Sequence, residues 1–233
     1  MSLWRRLPEG RPLACHAPLE DRRIGDIATT VPGAAALLRG AGIAVCRTPN
    51  LTLATAAAAQ ELALGDLAAA LRRGAESARR SAPDETGELI DHIVSRYHAR
   101  HRADLPGLIA LARAVEAAEA GHAEAPRGLS ELLDGLQAGL VEHMLREERR
   151  VFPQMRRARG DQLAQSLALM RDEHEDNALF LLRAEDLTRG FRAPPGNADW
   201  ARLYVNLGRF AEDLVMHVFL EETALFPRFE APA

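Results

Sequence analysis

The stretch HMLREERRVFP at residues 143–153 recurs as HVFLEETALFP at residues 217–227, and both copies read H-x3-E-x4-F-P. The two leading histidines, His143 and His217, are 74 residues apart. A histidine and a glutamate four positions apart lie one turn from each other on the same face of a helix. The repeat therefore predicts two helices from similar halves of one fold, each presenting an imidazole and a carboxylate together.

These polar side chains fall within the apolar stripes of the predicted helices. The stripes, in steps of three or four, are Leu129, Leu132, Leu136, Leu140, His143, Glu147 and Val151, then Leu203, Leu207, Phe210, Leu214, His217, Glu221 and Leu225, and on a third helix Leu163, Leu167, Met170, His174, Ala178 and Leu181. Each buried polar group without a partner costs roughly 1–3 kcal/mol, and an unpaired carboxylate costs more. Coordination of metal ions between facing helices offsets that cost, so the pattern predicts a buried metal centre.

The first helix of the bundle offers two candidate ligands. His98 and His101 are three residues apart, so either or both could approach the centre. His98 precedes His143 by 45 residues and His174 precedes His217 by 43, and this near-equality favours His98. His101 is then predicted to be an outer donor or a surface residue.

Imidazole nitrogen and carboxylate oxygen suit iron, zinc or manganese, and no thiolate lies in the bundle. Iron is our prediction. Six ligands shared by two non-haem ions leave room for an oxo or hydroxo bridge and an open position for a small molecule. Glu173 beside His174 and Tyr97 beside His98 are candidates to orient ligands or handle protons, with solvated or packing roles as the alternative.

The composition predicts an all-α fold, because Ala, Leu, Glu and Arg dominate and β-branched and aromatic residues are few. Four long helical segments, at roughly 85–121, 127–158, 161–189 and 198–224, are joined by short breaks that favour an antiparallel four-helix bundle. The predicted organisation is an extended or disordered lead-in at 1–20, a small helical cysteine-bearing domain at 21–78, a linker at 79–86 and the bundle at 87–233.

The bulk properties argue against several classes of partner. A formal charge of -4 and a pI near 6.1 give no electrostatic reason to bind nucleic acid or anionic membranes. Only two cysteines, Cys15 and Cys46, occur, which suits a reducing cytoplasm. With no signal-peptide pattern and no long apolar stretch, we expect a cytoplasmic protein.

Four motifs of the bundle resemble those of the RIC ("repair of iron centres") di-iron proteins, which join an ScdA-type N-terminal domain to a hemerythrin-like bundle. They are RYHARHRADLPGL at 96–108, HMLREERRVFP at 143–153, DEHED at 172–176 and HVFLEETALFP at 217–227. The similarity covers about residues 22–230. It implies the ligand set His98, His143, Glu147, His174, His217 and Glu221.

The resemblance implies a role in repairing iron-sulfur proteins after nitrosative or oxidative stress, by iron donation or by redox chemistry at the di-iron site. Iron-sulfur proteins would be the clients, and NO or O2 the small ligands. The alternatives are a hemerythrin-like carrier or sensor of O2 or NO, and an NO reductase that produces N2O. Whether the protein is an enzyme, and whether it forms a homodimer, stay open.

The N-terminal module resembles its counterpart through RRIGDIATTVPGAAALLRGAGIAVC at 22–46, with one departure. The family commonly has two adjacent cysteines at this point, whereas here Cys46 is followed by Arg47. This departure argues against dithiol chemistry. Cys46 alone is either a reactive thiol or an inert structural residue.

Overall fold

The computed structural model describes residues 17–157 and 163–230, and in these ranges helices are the only extended regular elements. The all-α prediction is therefore confirmed. Most of the predicted lead-in at 1–20 lies outside the described residues. No helix in the described ranges is both long and apolar enough to cross a bilayer.

Three short helices and one longer helix form the described part of the N-terminal module. They are α1 (Ile24–Thr30), α2 (Ala34–Gly40), α3 (Leu53–Ala59) and α4 (Leu64–Arg80). The hydroxyl of Thr52 caps α3 by accepting a hydrogen bond from the backbone N–H of Thr55. The module encloses an apolar cluster of its own that includes Ile24, Leu38 and Leu53.

The bundle has four helical arms, and three of them contain a π-helical turn. Arm one comprises α5 (Thr86–His92), π1 (Ile93–His98) and α6 (Ala99–Ala118), and arm two comprises α7 (Leu129–Arg146), π2 (Glu147–Val151) and α8 (Phe152–Arg156). Arm three is the single helix α9 (Leu163–Leu187). Arm four comprises α10 (Ala198–Leu220), π3 (Glu221–Leu225) and a 3-10 turn (Phe226–Phe229). Arm one packs against arms two and four, and arm three against arm two. A four-helix bundle is thus confirmed.

Two apolar clusters fill the interior of the bundle, one on each side of the predicted ligands. The larger includes Leu105, Leu140 and Leu207, and the smaller includes Phe152 and Phe226. Along each arm the predicted ligands fall where one cluster gives way to the other. The polar centre is therefore enclosed by apolar packing at both ends.

The N-terminal module packs on arms three and four through α1. Gly25 makes this approach possible, because a Cβ there would lie 3.1 Å from the carbonyl oxygen of Pro49 and 3.2 Å from Cδ1 of Leu182. Nearby, Nη1 of Arg39 in α2 lies 2.9 Å from Oε1 of Glu185 in α9. Glu185 is only 5% exposed, so Arg39 supplies the charge that this buried carboxylate requires.

Replacing Arg39 by methionine is expected to lower the free energy of unfolding by about 3 kcal/mol, because Glu185 would keep its burial and lose its partner. The matched control is Arg183→Met, which breaks the exposed Arg183–Asp186 pair on α9 and is expected to cost less than about 1 kcal/mol. Denaturant unfolding measures both. Equal losses in the two variants would contradict this role for Arg39.

Candidate metal centre

The structure brings the six predicted ligands together in the middle of the bundle, with every arm contributing. They are His98, His143, Glu147, His174, His217 and Glu221, and each is buried. Three of them lie at π turns: His98 ends π1, Glu147 begins π2 and Glu221 begins π3. Such turns are rare in helices and often occur at functional sites.

The donor atoms form two groups that share both carboxylates. One group is His98, His217, Glu147 and Glu221, and the other is His143, His174, Glu147 and Glu221. Within each group the donor atoms all lie within 4.8 Å of one another. Two adjacent positions with two common carboxylates could hold a pair of cations, each with two histidines and both bridged by the glutamates.

Several of these donor atoms lie close together without a directed hydrogen bond. Nε2 of His174 is 3.1 Å from Oε2 of Glu221, and Nε2 of His143 is 3.3 Å from Oε2 of Glu147. Among residues 17–157 and 163–230, none of these four atoms, nor Oε1 of Glu147, has a hydrogen-bond partner. Lone pairs that converge on a common third atom produce this arrangement, so the donor set fits bound cations.

The two carboxyl groups have opposite electrostatic environments. Burial, together with the charge of Glu221, raises the pKa of Glu147 well above its ordinary value. Burial also acts to raise the pKa of Glu221, but His217 and His174 outweigh it and hold that pKa well below its ordinary value. Without a cation, Glu147 therefore holds a proton in preference to Glu221.

Two of the histidines, His98 and His174, also have pKa values that are shifted in opposite directions. Burial and then His217 lower the pKa of His98 to about 2. At His174 burial acts in the same direction, but the nearby carboxylate of Glu221 and the hydrogen bond to Glu222 raise the pKa to about 9. Both pKa values are those of the centre without a cation, and the charge of a bound cation would favour at each residue the neutral imidazole that coordination requires.

Three of the four histidines have a carboxylate partner on Nδ1, at 2.8, 2.8 and 2.7 Å in chain order. Each carboxylate is in turn paired with an arginine. The three chains are His98–Glu148–Arg102, His143–Glu173–Arg146 and His174–Glu222–Arg171. Such partners fix the orientation of an imidazole and make it a more basic ligand.

Sequence reasoning pointed to Glu173 but missed Glu148 and Glu222. A signal was present, because each directly follows a predicted ligand, so that both copies of the repeat contain Glu-Glu. The phenylalanine of the repeat also has a role. Phe152 stacks on His98 with ring centroids 5.8 Å apart, and Phe226 stacks on His174 at 5.9 Å.

His217 has different surroundings. Its Nδ1 is buried and has no partner in the part of the chain that the structure describes, and the ring of Tyr97 stacks on its imidazole with centroids 6.0 Å apart. His101 lies 5.4 Å from His217 between ring centroids and is fully buried, so the surface alternative for His101 is wrong. Neither nitrogen of His101 has a hydrogen-bond partner among the described residues. Burial, followed by His217, lowers the pKa of His101 to about 2.

Cys46 lies outside the bundle centre and is a free, partly buried thiol. Burial, followed by the charges of Glu185 and Asp186, raises the pKa of its thiol. A raised pKa disfavours the thiolate that a nucleophilic cysteine requires. This environment argues for the inert alternative over the reactive one.

Comparison with known proteins agrees with this geometry. Residues 89–229 match the hemerythrin HHE cation binding domain. Proteins named iron-sulfur cluster repair protein YtfE, from Escherichia coli O157:H7, Citrobacter koseri and Escherichia fergusonii, are each 36% identical over 213 residues, which is 89% of this chain and 96% of theirs. The similarity thus includes the N-terminal module as well as the cation-binding bundle. The chain belongs to the RIC family.

Proposed function

We propose that this protein holds two bridged iron ions in the bundle and uses them to repair damaged iron-sulfur clusters. The observation that carries the proposal is the pair of donor groups that share Glu147 and Glu221. An oxo or hydroxo bridge would complete the centre, and the site ligands are the six buried residues identified above. We place this activity in the cytoplasm, where iron-sulfur proteins would be its clients.

The choice of iron rests on the donor chemistry and on the relatives. Histidine and carboxylate ligands without thiolate suit iron, zinc and manganese. The relatives that span nearly the whole chain are named for iron-sulfur cluster repair, which favours iron. The names of these relatives also favour a repair protein over a carrier or sensor of O2 or NO and over an NO reductase. When bound, iron would supply redox chemistry and open positions for NO or O2.

The protein's own residues would hold and shelter the centre. Glu148, Glu173 and Glu222 accept the Nδ1 protons of three histidines and so direct Nε2 inward. Phe152 and Phe226 lie against the imidazoles of His98 and His174 and exclude water from that end of the bundle. This rigid outer layer would keep the donors in place when an ion leaves.

The first test is the metal content of the purified protein. We expect about two irons per chain, with an absorption spectrum of a bridged non-haem pair. His143→Ala is expected to reduce the content to about one or fewer, because one of the two donor groups loses an imidazole. The control is His122→Ala, at an exposed histidine, and should keep both irons. Zinc in place of iron, or undiminished iron in His143→Ala, would contradict the assignment.

The second test is repair itself. A dehydratase whose [4Fe–4S] cluster has been damaged by NO is incubated with the iron-loaded protein, the metal-free protein or the loaded His122→Ala variant. We expect recovery of client activity with the first and third and none with the second. Equal recovery from the metal-free protein would exclude a role for the centre in repair.

A further inference from the structure

The two cation positions share their carboxylates but differ in the support given to their histidines. At one position both imidazoles have a carboxylate on Nδ1: His143 has Glu173 and His174 has Glu222. At the other position only one does within the described ranges, because His98 has Glu148 whereas Nδ1 of His217 has no partner there. The difference lies in side chains behind the ligands.

The internal repeat locates the origin of this difference. Glu173 directly precedes His174, and the residue that directly precedes His98 is Tyr97. Glu173 accepts a hydrogen bond from His143, whereas Tyr97 stacks its ring on His217. An aromatic ring therefore occupies, in one half of the bundle, the place that a carboxylate occupies in the other.

His101 adds to the contrast. It lies on the same side of His217 as Tyr97 does, packs against Phe210 at 5.2 Å, and is fully buried. On the Nδ1 side of His217 the surroundings thus contain rings, and no carboxylate of the described residues is paired with that nitrogen. A carboxylate behind a metal-bound histidine increases the basicity of that ligand, and losing one typically costs 10- to 100-fold in metal affinity.

We propose that the two positions bind metal unequally, so that the ion held by His98 and His217 leaves first while the ion held by His143 and His174 stays. This inference rests on the proposed di-iron function and deepens it, because it assigns the donated iron to one position. Glu173 and Glu148 act as positioning residues, each for a different ion. The retained ion keeps Glu147 and Glu221 in place for reloading.

Timed release of iron to a chelator tests the inequality. Iron(II)-loaded protein mixed with excess chelator is expected to lose its metal in two phases of one equivalent each, with rates at least about tenfold apart. Release of both ions in a single phase would overturn the inference. It would leave the proposed function standing, since that fails if the loaded protein does not hold two irons or if the metal-free protein repairs the client equally well.

Three variants assign the phases. Glu173→Gln is expected to accelerate the slow phase by about 10- to 100-fold, and Glu148→Gln to accelerate only the fast phase. His122→Ala, at an exposed histidine outside both donor groups, is the control and should change neither rate. Acceleration of the slow phase by Glu148→Gln, or of the fast phase alone by Glu173→Gln, would reverse the assignment and overturn the inference.

A measurement on the unmodified protein gives an independent answer. Zinc(II) is diamagnetic and accepts the same ligands, so its binding to metal-free protein can be followed through the 15N resonances of the histidine rings. The first equivalent is expected to shift His143 and His174, and the second His98 and His217. Shifts of all four together, or of His98 and His217 first, would overturn the inference.

Discussion

Glu147→Gln and Glu221→Gln are both expected to reduce the metal content from about two ions per chain to nearly none, because each carboxylate belongs to both donor groups. An amide carries no charge and offers only one oxygen. Iron analysis after reconstitution measures the loss. Glu148→Gln, outside the two groups, should retain at least one ion. Retention of both ions in either bridging variant would exclude shared carboxylates.

The same two variants are expected to change the stability of the metal-free protein in opposite directions. The pKa of Glu147 is raised by burial, so at pH 7 its folding includes the cost of keeping a buried acid neutral. Glu147→Gln removes that cost and should raise the free energy of unfolding by about 1–2 kcal/mol. The gain should vanish below the ordinary pKa of glutamate, where the unfolded chain is protonated as well.

Glu221→Gln should instead lower the free energy of unfolding at pH 7 by about 2 kcal/mol. The carboxylate of Glu221 accepts a hydrogen bond from His217 and lies 3.1 Å from Nε2 of His174, whose pKa is raised to about 9. Denaturant unfolding of the chelator-treated variants measures both changes. Equal losses in the two variants would contradict the pairing of a neutral acid with a carboxylate.

The metal-free protein is also expected to lose stability steeply as the pH falls from about 6.5 to 4.5. His98 and His101 have pKa values of about 2 in the folded protein, against 6.5 in an unfolded chain. Between those values the unfolded chain binds one more proton at each site, so stability is complete above pH 6.5 and declines below it. Each site contributes about 1 kcal/mol per pH unit.

Other groups in the centre modify this slope. The lowered pKa of His143 acts in the same direction, and the raised pKa of Glu147 opposes it above pH 4.5. His174 contributes stability below pH 6.5 that is lost as the pH rises toward 9, so it does not change the slope of stability between pH 6.5 and 4.5. The expected net slope is about 2 kcal/mol per pH unit.

His101→Phe isolates one of these sites. The variant is expected to reduce the acid slope by about 1 kcal/mol per pH unit and to leave the metal content at two, since His101 belongs to neither donor group. His122→Phe, at an exposed histidine, serves as the control and should keep the full slope. An unchanged slope in His101→Phe would show that this ring titrates as it does in an unfolded chain.

Helical periodicity was sufficient to predict much of this centre. It located His143 and Glu147 on an inward stripe, and the similar intervals of the repeat favoured His98 over His101. Both inferences use only distances along the chain, and a helix converts such distances directly into a face. The structure brings the residues chosen in this way to a common centre.

The outer residues could not be predicted with the same tools. The partner of Glu148 is His98 on another arm, and the partner of Glu222 is His174, also on another arm. Which arms are neighbours, and how they are rotated, depends on packing. The burial of His101 was missed for the same reason, because its environment is formed by Phe210 and His217 of arm four.

The π turns make the second half of the repeat respond unequally to a gain and a loss of length. A π turn contains one residue more than the α turn it replaces, so the loss of one residue between Glu147 and Phe152 would let the turn close as an ordinary α turn, with Phe152 still against the imidazole of His98. An inserted residue has no such outlet and would rotate everything after it by about 100°. The intervening side chains differ between the two copies, Glu-Arg-Arg-Val in one and Glu-Thr-Ala-Leu in the other, but both copies have the same length. An insertion at this point should therefore be more harmful than a deletion of the same size.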